Sequence, residues 1–118
     1  MKRLDPRALE DLARYFSALA VPMRLRILEV LRGGAHNVSE LTLETGCTQA
    51  NVSKHLAVLA QNGFVRKEAR GTSVYYSIAD PAIYALCDTV CGRIGRRYAE
   101  QAGLERTFGI AGGRRRRR

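Results

Sequence analysis

Residues 45–65, TGCTQANVSKHLAVLAQNGFV, announce a helix at both of its ends. Thr48 can accept hydrogen bonds from the first free backbone amides, and Asn62 and Gly63 tolerate the left-handed conformation that closes a helix. The capping predicts a helix over Gln49–Gln61. Within it Val52, Leu56 and Leu59 recur at spacings of four and three, a narrow apolar stripe that can face a core. After Gly63 the period drops from that of a helix to about 2, the period of a strand. Phe64, Val65 and Arg66 lead into RKEARGTS and then Val74, Tyr75, Tyr76 and Ile78, which reads as two strands joined by a loop containing Gly71.

The other side of that helix carries chemistry. At roughly 100° per residue it presents Gln49, Ala50, Ser53, Lys54 and Ala57, side chains that are short or hydrogen-bonding, with one cation. No Asp or Glu occurs between Cys47 and Gln61. An ordinary solvated helix face alternates acids and bases, so this composition points to a polyanionic partner, with a merely polar face as the alternative. The hairpin that follows holds Arg66, Lys67 and Arg70 in and beside its loop. It is either a cover for the core or a basic finger beside the helix.

The segments before and after complete the order of elements. Asp5-Pro6 is a cap with proline at the first helical position, and Leu9, Leu12, Ala13, Phe16 and Leu19 make the stripe of a first helix. Pro22 opens a second helix, in which Leu25, Leu28 and Leu31, with Ile27 and Val30 beside them, supply a broad buried face; Gly33 and Gly34 end it. Ser39 is a candidate cap for a short third helix with Leu41 and Leu43 facing inward, stopped at Gly46. Residues 39–61 thus read as helix, tight turn, helix. Asp80-Pro81 repeats the cap-plus-proline pattern ahead of a long final helix whose stripe is Ile83, Leu86, Cys87, Val90, Cys91, Ile94 and Tyr98. A chain of 118 residues has little left to cover that stripe, and a second copy would cover it.

Composition narrows the class. The 46% apolar content suits a globular domain. Twenty Lys+Arg against 11 Asp+Glu give +9, of which the five terminal arginines supply five, leaving the domain at +4. Residues 1–103 read as one domain, and residues 104–118 as a basic low-complexity tail expected to be disordered and to add nonspecific electrostatic affinity. No window of about 18 apolar residues and no secretion-type leader occur, so the expected location is cytoplasmic, with no membrane partner. Three cysteines, an odd number, argue against a disulfide framework.

Helix, helix, helix-turn-helix, two-strand wing and final helix (α-α-α-α-β-β-α) make a winged helix-turn-helix, mainly α with a small β-hairpin. Over roughly residues 10–100 the sequence resembles the ArsR/SmtB family of bacterial repressors. The pieces that carry the resemblance are PMRLRILEVL, VSEL with VSKHLAVLAQNGFV, and the wing RGTSVYYSI. The resemblance implies a homodimer paired through its first and last helices, which represses a palindromic operator in double-stranded DNA and releases it when an inducer binds. Carried over residue by residue, it assigns major-groove contacts to Thr48, Gln49, Asn51, Ser53, Lys54 and His55, with His55 also open to a capping or packing role. It lays Arg66, Lys67, Arg70 and Thr72 along flanking phosphates or the minor groove.

Two ligand patterns known in the family are missing. Residues 39–46, SELTLETG, lack the arsenic-type cysteine pair, and the final helix lacks the histidines of the zinc-type set. Cys87 and Cys91 remain, four apart on one helix face, with Cys47 at the turn as a further candidate. Thiolates at that spacing can converge on a soft ion, so a thiophilic metal or metalloid such as arsenite or cadmium is one candidate inducer. Reactive sulfur acting through persulfide or a disulfide is a second, and plain core packing of the three cysteines is the alternative. An enzyme is not expected, because there is no phosphate loop and neither His36 nor His55 sits in a nucleophile-carboxylate pattern. The competing reading is an architectural winged helix that binds DNA without sequence preference.

Overall fold

The computed structural model describes residues 3–107. The elements run α1 (Pro6–Leu19), α2 (Pro22–Leu31), β1 (His36–Asn37), α3 (Val38–Thr45), α4 (Gln49–Gln61), β2 (Val65–Arg70), β3 (Ser73–Ile78) and α5 (Ala82–Thr107). They fall into two compact units, one ending at Asp80 and the other beginning at Pro81. The expected order is present, with one addition. The two-residue β1 pairs antiparallel with β3, His36 opposite Tyr76 and Asn37 opposite Tyr75, so the wing belongs to a three-stranded sheet of order β1-β3-β2. Two residues are too short for a period to show in the sequence.

Local chemistry sets the helix ends. Asp5 accepts from the Arg7 amide at 2.8 Å with Pro6 behind it. The cap of α3 is Asn37 rather than Ser39. Its side chain accepts from the Glu40 amide at 2.8 Å while the Glu40 carboxylate accepts from the Asn37 amide at 2.9 Å, a reciprocal capping box that Ser39 has no glutamate in place to form. At Gly46 the backbone takes φ 72, which ends α3 and turns the chain toward α4. The far end of α4 closes in a Schellman motif: the Phe64 amide donates to the Leu59 carbonyl at 2.9 Å and the Gly63 amide to the Ala60 carbonyl at 3.1 Å. Gly63 alone takes the left-handed conformation there, φ 79. Asn62 stays at φ −97 and instead donates from Nδ2 to the Val58 carbonyl at 2.8 Å.

The core of the first unit is built from Leu19, Ile27, Leu28, Leu31, Leu41, Val52, Leu56, Leu59, Phe64 and Val65, all buried. Val52, Leu56 and Leu59 are fully buried, as the α4 stripe requires. Two inward assignments fail. Leu43 is 86% exposed, because α3 is only eight residues long and shows the core one narrow stripe, led by Leu41 and closed by Gly46, and Leu25 is exposed as well. On α2 the buried positions are Ile27, Leu28 and Leu31, which places Leu25 off that face. Tyr15 of α1 meets the Phe64 ring edge-on at 4.7 Å between centroids, which ties α1 to the end of α4.

In the second unit α5 runs through Gly103 to Thr107, so the first four residues assigned to the tail are helical. Leu104, Glu105 and Arg106 are good helix formers, and a single glycine costs a long helix only about 1 kcal/mol. The arginine run lies outside the described residues. No helix among the described residues is long and apolar enough to cross a membrane.

Candidate nucleic-acid interface

Thr48 begins the interface by fixing the start of α4: its Oγ1 accepts from the Asn51 amide at 3.2 Å. Thr48, Gln49, Ala50, Asn51, Ser53, Lys54 and Ala57 are all exposed. The same helix therefore buries Val52, Leu56 and Leu59 and offers solvent a face of amides, hydroxyls and one ammonium with no carboxylate. Amide side chains in such a position can pair with adenine edges, and Ser, Thr and Lys with base edges or phosphates.

His55 behaves differently from its neighbours. It flanks the buried stripe, is half-buried, and its Nδ1 accepts from Nε of Arg24 on α2 at 3.2 Å. Burial and then the positive charges of Arg24 and Lys54 hold its pKa below the usual 6.5. The imidazole is thus neutral at physiological pH, its Nδ1 occupied and its Nε2 carrying the proton. Arg24 also donates from Nη1 to the Ala18 carbonyl at 3.3 Å. Nothing in PMRLRIL marks Arg24 rather than Arg26 as the arginine that reaches α4; Arg26 instead pairs with Glu29 on its own helix.

The wing separates the basic residues that the sequence lists together. β2 and β3 pair from Val65 opposite Ile78 to Arg70 opposite Ser73, joined by Gly71 and Thr72, with Gly71 at the φ of 63 that a two-residue hairpin turn needs at its first position. Alternation along the strand puts Arg66, Glu68 and Arg70 on one face and Lys67 on the other. Arg70 stacks over the Tyr75 ring, 4.7 Å from its centroid, and lies 3.5 Å from the Glu68 carboxylate. A carboxylate on a face expected to meet phosphates competes for Arg70 and would repel a duplex. Glu68→Gln is therefore expected to tighten binding to every duplex, by about threefold per subunit given the small worth of exposed pairs. Unchanged or weaker binding in a fluorescence-anisotropy titration would remove Glu68 from the interface.

No disulfide joins the cysteines. Cys47 is half-buried in the turn between α3 and α4, its amide donating to Thr45 Oγ1 at 3.2 Å. Cys87 is half-buried and Cys91 exposed, one turn apart on α5. Among the described residues no group of three or more His, Cys, Asp or Glu is gathered to hold a metal ion.

The helix-turn-helix of α3 and α4 with the β2–β3 wing defines the class, a winged helix-turn-helix protein. The sequence profile described as "Bacterial regulatory protein, arsR family" matches residues 22–67. The chain is 39% identical over 85 residues to the HTH-type transcriptional regulator NmtR of Mycobacterium tuberculosis, covering 72% of this chain and 71% of NmtR. It is 37% identical over 71 residues to a probable mercury resistance operon repressor of Streptomyces lividans, covering 60% of this chain and 57% of that repressor. The solution structure of a homodimeric winged helix-turn-helix DNA-binding domain from Mycobacterium bovis matches with a TM-score of 0.68 at 32% identity, over 78% of this chain and 90% of that one. The chain belongs to the arsR family of bacterial regulatory proteins, and is a transcription regulator rather than an enzyme.

Proposed function

We propose that the protein is a homodimeric repressor that binds a palindromic operator through α4 and the wing, and leaves it when a thiophilic inducer reaches Cys87 and Cys91. The observation that carries the DNA-binding half is the exposed, carboxylate-free face of α4 from Thr48 to Ala57. Gln49, Asn51, Ser53 and Lys54 would meet base edges, while Arg66, Arg70 and Thr72, and Lys67 from the opposite face of the wing, would lie along flanking phosphates or the minor groove. The homodimer is supported by the assembly of the Mycobacterium bovis domain and by apolar side chains left in solvent: Leu9 and Phe16 on α1, and Val90, Ile94 and Tyr98 on α5, Tyr98 being 69% exposed. A two-fold dimer matches half-sites about 34–36 Å apart, or a multiple of that.

For induction, the relation to a mercury resistance repressor supports a soft ion. Cys87 and Cys91 suit one by donor type and by their spacing of one turn. Two thiols leave a coordination shell incomplete, so a further sulfur would come from the partner subunit; reactive sulfur acting on the same pair is the competing inducer.

The test is a pair of variants measured on a selected duplex and a random one. Lys54→Ala is expected to lose affinity and to narrow the preference between the two. Arg70→Ala is expected to lose affinity equally on both, with the salt slope lower by about one unit per subunit. Parallel losses on both duplexes for both variants would favour an architectural binder without sequence preference.

A further inference from the structure

Beside α4 lies an open groove of about 480 Å³, lined by Arg24 of α2 and by Asn51, Lys54, His55, Ala57 and Val58 of α4. Two permanent cations and an amide face it, and none of its lining residues is a carboxylate. A guanidinium has five N–H donors in a rigid fork. Arg24 spends Nε–H on His55 Nδ1 and one Nη1–H on the Ala18 carbonyl, which pins it across α1, α2 and α4 and leaves the Nη2 edge of the fork for another acceptor. A pinned guanidinium beside an ammonium is a seat for a tetrahedral oxyanion, since an Nη2–H donor and the Lys54 ammonium can each meet one phosphate oxygen.

We propose that Arg24 is a DNA-contacting residue outside the recognition helix: with Lys54 it seats one backbone phosphate of the duplex in this groove, and through Nε it orients the His55 ring so that Nε2–H points outward as a donor. The proposal rests on the DNA-binding reading above. It makes α2 the second anchor of α4 on the duplex. The charged groups facing His55 are Arg24 from α2 and Lys54 from α4, and both disfavour the imidazolium.

The experiment uses duplexes enriched from a random library by the wild-type full chain, with an unselected duplex of equal length as reference. Arg24→Gln is expected to lower affinity on both by about tenfold per subunit, as for loss of one charged hydrogen-bonded contact. The slope of log affinity against log salt should fall by about 0.9 per subunit. Arg24→Lys should restore the slope, because the charge returns, without restoring the fixed His55 tautomer seen in imidazole nitrogen shifts. In Arg24→Gln the His55 pKa should rise part of the way back, burial and Lys54 still holding it down, so its affinity deficit should shrink as the pH is lowered and the imidazole gains charge; a purely structural role gives a deficit independent of pH. A measurement on the wild-type protein makes the test independent of how the variants fold: the Arg24 Nε–H resonance should shift when the enriched duplex is added. An unmoved resonance, or an Arg24→Gln variant with wild-type salt slope, overturns the role of Arg24. Failure of the wild-type chain to enrich any duplex overturns the DNA-binding reading instead.

Discussion

Leu56→Ala is expected to lower the unfolding free energy by about 2–5 kcal/mol. Leu56 is fully buried on the inner stripe of α4, with Val52 and Leu59 on either side of it and Ile27 and Leu41 also at zero exposure in the same core. Truncation removes three carbons from water-free surroundings and leaves a cavity that surrounding helices can close only in part. Domains of this size have about 5–15 kcal/mol in hand, so the variant should melt far earlier and bind DNA weakly for want of a folded α4. Leu43→Ala is the matched control. Both leucines sit in the helix-turn-helix and look alike in sequence, yet Leu43 is 86% exposed, and its replacement should stay within about 0.5 kcal/mol. Urea unfolding at one fixed protein concentration measures both. Equal losses for the two variants would contradict the packing of α3 and α4.

Cys87→Ser and Cys91→Ser are each expected to keep operator affinity nearly intact and to abolish release by the inducer. Both residues lie on α5, and neither belongs to α4 or to the β2–β3 hairpin. An inducer acts only through its different affinity for the DNA-competent and DNA-incompetent forms, and a thousandfold loss of DNA affinity needs about 4 kcal/mol of such coupling. Two soft sulfur ligands one turn apart are suited to supply it, and serine, a harder and far less acidic donor, is not. Titration with arsenite, cadmium, mercuric ion and organic polysulfide, read as release of a labelled duplex, separates the inducers. Full release of the double serine variant by the reagent that releases the wild type would reduce both cysteines to packing.

Much of this molecule could be read before it was seen. Asp5-Pro6, Thr48 and the Asn62-Gly63 pair each act within a few residues of chain, so their capping chemistry is written locally; Gly63 then took the left-handed role for itself because asparagine had a carbonyl within reach of its side chain. The change of period after Gly63 located the wing for the same reason. Ser39 and Leu43 show the limit. Choosing between Asn37 and Ser39 as a cap depends on whether a glutamate reaches back, and Leu43 looks as apolar as Leu41 until a partner helix selects one side of α3.

On α4 the outward residue types follow from local pattern alone, since burying Val52, Leu56 and Leu59 forces Asn51, Ser53 and Lys54 outward once the period is known. The spacing of Cys87 and Cys91 is likewise a property of one helix. Which cations act together follows from packing and strand register. Strand register set Arg66 and Arg70 beside Glu68 and sent Lys67 to the opposite face. The packing of α2 beside α4 brought Arg24 across thirty-one positions of sequence to His55. Contacts at that separation depend on the crossing of two helices and on which of several equivalent arginines falls at the crossing, and neither is encoded in any local pattern of residues.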